Sequence, residues 1–208
     1  MRSAPSLNSI RFEVTGFSYQ GELEGSRVWH SAEGDGIGLF LFPVRPNLPE
    51  NAVSLSEFRD RVWEAVGNPQ TKLVQISLPV INDCHTVGVK IRQEPHGFTY
   101  VGSIIIPFEA FSFVVKVQCL EYEMTGLREA VLMARALSNG TVSLTPTENE
   151  SATITGDWNP DDERHDSIFP DHPLSRARRV LSEIKASLQI DSAIKGHPRF
   201  PLPVTDAG

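Results

Sequence analysis

Apolar and polar residues alternate along the first third of the chain in three short runs, "IRFEV" (10–14), "SRVWHS" (26–31) and "GIGLFLFP" (36–43). Glycine-bearing turns separate them, so the pattern predicts strands in a meander. At "RPNLPEN" the period changes. In "SLSEFRDRVWEAVG" Ser54 and Glu57 have capping-box spacing, Gly67 and Pro69 mark the stop, and Leu55, Phe58, Val62 and Val66 share one face. That is an amphipathic helix.

From Lys72 to Leu120 the alternation returns in four runs, "KLVQISLPVI", "TVGVKIRQE", "FTYVGSIIIPF" and "FSFVVKVQCL". Their joints, "NDCH", "PHG" and "EA", are short enough for hairpins, which predicts a consecutive antiparallel meander. "TGLREAVLMARALSNG" then repeats the helical period through Leu127, Val131, Leu132 and Leu137 and stops at Asn139-Gly140. The expected fold class is α+β, an antiparallel sheet with packed helices, over residues 1–139. Residues 140–156 are rich in Thr, Ser, Asn and Glu, and with the acidic stretch that follows they predict a polar and acidic linker over 140–172. Leu174, Ala177, Leu181, Ile184 and Leu188 then recur at spacings of three and four, a C-terminal amphipathic helix over 173–190 that Pro173 can start. A proline-rich tail occupies 191–208. The helix stripe is too apolar for water. Its expected resting place is this protein's own sheet, the alternative being a second chain with Arg176 and Arg179 at the rim of the contact.

A length of 208 residues, 40% of them apolar, suffices for a sizeable core. The formal charge of −7 argues against a protein that neutralises phosphates, so no nucleic-acid partner is expected. No secretory h-region opens the sequence, and no run approaches the roughly 20 apolar residues of a membrane helix. A cytoplasmic location without membrane insertion is the expectation. Cys84 and Cys119 have neither Cys-x-x-Cys nor Cys/His zinc spacing and read as buried thiols.

Candidate chemistry is sparse. Gly34, Gly36 and Gly38 in "EGDGIGLFLFP" lead into a strand rather than a helix, so they read as a turn and not a phosphate loop. Cys84 adjoins His85, but strand neighbours point to opposite faces, and only an irregular turn would let the pair cooperate. Lys90 and Arg92 alternate against Val87, Val89 and Ile91, while Lys116 and Gln118 alternate against Phe113, Val115 and Val117. Should both cationic sets share a sheet face, the acidic protein would carry a local positive surface suited to a carboxylate, phosphate or acidic peptide; otherwise they belong to solvated sheet surface. In "DWNPDDERHDSIFPDH" the residues Asp157, Asp161, Asp162, Glu163, His165, Asp166, Asp171 and His172 offer many donors, but their spacing fits no metal template. They are read instead as an acidic leash, with Asp171 capping the last helix and Arg176, Arg178 and Arg179 pairing with the acids.

The element order, from the N-terminal strands through the helix at "SLSEFRDRVWEAVG" and four strands to the helix at "TGLREAVLMARAL", resembles the PsbP-like αβα sandwich over roughly Ile10 to Asn139. That family includes the photosystem PsbP subunit and cytoplasmic adaptors that escort type VI secretion effectors. The resemblance implies a binding or chaperone-like module and assigns no residue a role. The expected function is therefore a non-enzymatic protein-interaction module, such as an adaptor, chaperone or immunity-type protein for a secreted effector. Its partner is another protein, a homo-oligomer being left open, and its binding residues are drawn from Lys90, Arg92, Lys116, Gln118, Arg176 and Arg179. No catalytic residue, metal or cofactor is assigned. The alternative is a small hydrolase or anionic-ligand-binding enzyme using His85, Cys84 and the Lys90/Lys116 region.

Overall fold

Two meanders meet side by side in the middle of one sheet. The structure, a computed structural model, describes residues 4–94, 98–122, 125–146 and 152–203. Its main strands are β1 (Phe17–Leu23), β2 (Ser26–Ser31), β3 (Gly36–Phe42), β4 (Thr71–Ser77), β5 (Val87–Gln93), β6 (Thr99–Pro107) and β7 (Ser112–Leu120). They form a seven-stranded antiparallel sheet in the order β1-β2-β3-β7-β6-β5-β4. The expected consecutive antiparallel order from Lys72 to Leu120 is present, and the fold is α+β. The "PHG" joint lies outside the described residues. The run at 10–14 is only in part a strand, since Ile10–Arg11 pairs with Gln189–Ile190. β1 escaped prediction because an edge strand with mostly exposed side chains has no strong alternation to read.

Helix α1 (Leu55–Val66) starts as its sequence dictates. Ser54 Oγ accepts from Glu57 N–H at 3.1 Å, and Glu57 Oε2 accepts from Val53 N–H at 2.8 Å. Phe58 and Val62 bury against Ile76 and Val87 on one face of the sheet, whereas Leu55 is exposed. The side chain of Val66 lies outside the described set. Of the expected stripe on helix α2 (Leu127–Ser138), Leu132 is buried and Val131 half-buried, Leu127 and Leu137 are exposed, and Arg128 is buried beside them. Helix α3 (Pro173–Ser187) lies on the sheet face opposite α1. Its Ala177, Leu181 and Ile184 join Ile37, Ile104, Val115 and Val117 in the larger core cluster, so the stripe rests on the protein's own sheet. Gly102 permits the approach, for a Cβ there would stand 2.4 Å from Leu181 Cδ1.

The described part of the segment read as a linker contains paired strands. β8 (Val142–Pro146) and β9 (Ala152–Gly156) pair antiparallel, and the Ser143 and Thr155 hydroxyls meet at 2.8 Å. Residues 147–151 lie outside the described set. A Thr-, Ser- and Glu-rich composition suggested a mobile chain, but its β-branched residues suit a two-stranded ribbon as well. Residues 157–172 are held against α2 and α3, so α3 is not carried on a leash. Its N-cap is His172, whose Nδ1 accepts from Leu174 N–H at 3.2 Å, and Asp171, the expected cap, is exposed. Beyond α3, a short helix α4 (Ser192–Lys195) and the buried Phe200 bring the tail onto the body, and residues 204–208 lie outside the described set.

Candidate functional site

Strand register decides which of the expected binding residues meet. Lys90 pairs with Gly102, which pairs with Val117, and these point to the α3 face. Lys116 pairs with Ser103, which pairs with Val89, and these point to the α1 face. Residues directly opposite in an antiparallel pair share a face, so Lys90 and Arg92 are separated by the thickness of the sheet from Lys116 and Gln118. The single positive surface considered from alternation is not assembled. Arg92 is occupied, with Glu129 at 2.9 Å, Glu94 at 3.2 Å and the Phe98 ring 4.2 Å below its guanidinium. Lys116 and Gln118 instead border a shallow hollow with His30 and Phe40.

Arg176 does not lie at a rim. It is buried and grips Asp35 in two bonds, Nε to Oδ2 at 2.8 Å and Nη2 to Oδ1 at 2.9 Å. It also donates to the Leu120 and Asp171 carbonyls. Of the arginines expected to pair with the acidic stretch, Arg178 does so through Asp166 at 2.9 Å, while Arg179 is exposed and reaches Pro170 O at 3.3 Å. Cys84 and His85 lie in a two-residue pairing with Val80–Ile81, with Cys84 buried and His85 exposed, so they form no dyad. Cys119 is buried on the α3 face, where burial, followed by the neighbouring Asp35, pushes its thiol pKa up. Both cysteines should react with a maleimide only as fast as the protein unfolds. Rapid modification in native buffer would contradict the inward placement.

A cleft of about 600 Å³ opens between the polar side of α3 and strands β4 and β5. It is lined by Lys90 on β5, by Arg178, Arg179 and Lys185 on α3, and by Glu163 and Asp166 from the segment before α3. Lys90 Nζ donates to Gln75 Oε1 at 2.8 Å. Burial first, then repulsion from Lys185 and Arg178, lowers its pKa to about 8, and Glu163 and Asp166 only partly oppose this. Asp166 is already bound by Arg128 and Arg178. Among the described residues, Lys90, Arg179 and Lys185 have no carboxylate within ion-pair distance, in a protein whose acids outnumber its Lys and Arg by 26 to 19.

A second cavity, about 430 Å³, lies at the start of α3. Its back wall is organised by Arg128, only 1% exposed, which donates to Pro160 O, Asp162 O, Asp166 Oδ1 and Ser175 Oγ at 2.8–3.0 Å. Sequence reading missed Arg128; the available signal was a charged residue one turn before Leu132 on the same helix face. Glu121 and His172, with side chains 6% and 5% exposed, line this cavity with their Oε1 and Nε2 atoms 3.7 Å apart. Burial raises the Glu121 pKa and lowers that of His172 to about 4, with Arg128 the next cause for the histidine. Tyr100 packs edge-on to His172 at 5.1 Å.

The neutral imidazole has a consequence for stability. In the unfolded chain a histidine titrates near 6.5, so between about pH 6.5 and 4 the unfolded state binds the proton that the folded state refuses. Stability therefore rises with pH through this window. Acidification from pH 7 to 4 should remove about 3 kcal/mol on this account. Urea melts of the wild type and His172→Asn check it, since the variant should lose this slope below pH 6.5.

No protein-family model matches the chain, and no curated protein matches it. Among solved structures it is similar to a protein from Bacteroides thetaiotaomicron crystallised at 1.50 Å resolution, with 14% identity and a TM-score of 0.32 over 55% of this chain and 39% of that one. A likeness of that size transfers no function.

Proposed function

We propose that the protein is a non-enzymatic interaction module that receives an acidic segment of a partner protein in the cleft between α3 and strands β4 and β5. The observation that carries this reading is the convergence of Lys90, Arg179 and Lys185 there without ion-paired carboxylates among the described residues. With Asp166 already bound by Arg128 and Arg178, these three cations outnumber the remaining lining acid, Glu163, and a visiting carboxylate relieves the repulsion that Lys185 and Arg178 exert on Lys90. Reading the protein as a binder rather than a hydrolase is supported by the separation of Cys84 from His85 and of Lys90 from Lys116. Among the described residues, the groups named for the alternative are not brought together.

The test is fluorescence anisotropy with a labelled hexaglutamate peptide. Binding should weaken as salt rises, and the Arg179→Glu/Lys185→Glu variant should lose about tenfold or more in affinity. A hexalysine peptide should not bind. Equal affinity in wild type and variant, or no binding at low salt, sinks the proposal.

A further inference from the structure

The 430 Å³ cavity at the start of α3 is lined by apolar side chains that stand in the open. Tyr122, Leu127 and Ile168 are 53%, 47% and 46% exposed, and Phe169, Pro170 and Pro173 line the hollow with them. The three exposed residues come from separate segments, the chain after β7, the start of α2 and the turn before α3, so no single strand or helix pattern brings them together. Apolar residues scattered over a surface need no explanation, but a group gathered in one hollow marks a contact site. The charges in the lining are mostly withdrawn. Arg128 and Arg176 are bonded to the protein's own oxygens, and the Glu121 and His172 side chains are buried. Asp171 is exposed, and it repels a visiting carboxylate.

This hollow adjoins the cationic cleft. Pro170 lines both, and Arg179 Nη1 donates to its carbonyl at 3.3 Å. His172, Pro173 and Arg176 border the hollow, while Ser175, Arg178 and Arg179 border the cleft, so the two lie on neighbouring sides of the first turns of α3. From Lys185 to Pro173 the helix rises roughly 18 Å, the reach of about five or six residues of extended peptide. One short segment spans both.

We propose that the partner's acidic segment carries an aromatic residue beside its acids, and that this ring enters the hollow among Tyr122, Leu127, Ile168 and Phe169 while the carboxylates lie along Arg179 and Lys185. The proposal rests on the acidic-segment reading and supplies the anchor that a run of like charges lacks. Carboxylates steer the segment to the cleft, but each is interchangeable with the next; a ring seated in a hollow fixes the register and slows departure. The ligand is aromatic because the walls include two rings, Tyr122 and Phe169, against which a third packs offset or edge-on.

Fluorescence anisotropy of the full chain is measured with hexaglutamate extended by phenylalanine at one end or the other, each against its alanine counterpart and labelled at the end away from the added residue. One of the two phenylalanine peptides should bind about tenfold more tightly than its alanine counterpart. That ratio should persist as salt rises, since salt screens the carboxylates and not the ring. Leu127→Ser/Ile168→Ser changes two exposed positions, so it should erase the ratio and leave the affinity for plain hexaglutamate as it is in wild type. Arg179→Glu/Lys185→Glu should weaken every peptide. If hexaglutamate binds and phenylalanine adds nothing at either end, or if its gain survives Leu127→Ser/Ile168→Ser, the anchor is wrong and the acidic-segment reading stands alone. If hexaglutamate itself does not bind, both fall.

Discussion

Asp35→Ala will lower the unfolding free energy by about 3–5 kcal/mol, because it strands a buried guanidinium. Asp35 ends the turn before β3 and is 3% exposed, and Arg176 reaches it from the first turn of α3, 141 residues away. Without the carboxylate, Arg176 retains, among the described residues, only the Leu120 and Asp171 carbonyls as acceptors. Carbonyl dipoles do not replace a counter-charge in a largely buried site. Denaturant titration measures the loss directly. Asp35→Asn, which keeps the shape and one acceptor, should fall between wild type and Asp35→Ala. The double variant Asp35→Ala/Arg176→Leu should recover much of the loss, since removing both partners removes the orphaned charge. A single-variant loss below about 1 kcal/mol would mean that water reaches the pair.

That pair also shows where sequence reading stops. The alternation of Phe113, Val115 and Val117 and the short joints between strands are local signals, and they suffice for the order of β4 to β7. The face on which a charge ends depends on cross-strand register, which moves Lys90 and Lys116 apart without altering either strand's own pattern. Arg176 was readable as a cation on a helix, but not as the partner of Asp35, because the contact joins distant segments. The same holds for Glu121 and His172, which come from the end of β7 and the start of α3. Composition misled at β8 and β9, where Ser143, Thr145, Thr153 and Thr155 take part in strand pairing. What the sequence does disclose about the site is the presence of Lys90, Arg179 and Lys185; their convergence on one cleft is a tertiary property.

Replacing Leu181 and Ile184 together by Asp should abolish cooperative folding. The two side chains are 3% and 0% exposed, and they pack α3 onto β6 and β7 beside Ile104, Val115 and Val117. Losing each apolar side chain costs about 2–5 kcal/mol, even before a carboxylate is buried in its place. Burying an unpaired charge adds several kcal/mol more, so the sum is comparable with the roughly 5–15 kcal/mol that holds a typical domain together. Leu181→Ala alone should be graded, losing about 2–5 kcal/mol with the fold intact, because Gly102 leaves a flat strand surface beneath a shortened side chain. Circular dichroism melts at several protein concentrations separate the cases. A concentration-independent loss places the stabilising contact within one chain. If the double variant melts like wild type while a dimer dissociates, α3 is held by a second copy and not by its own sheet.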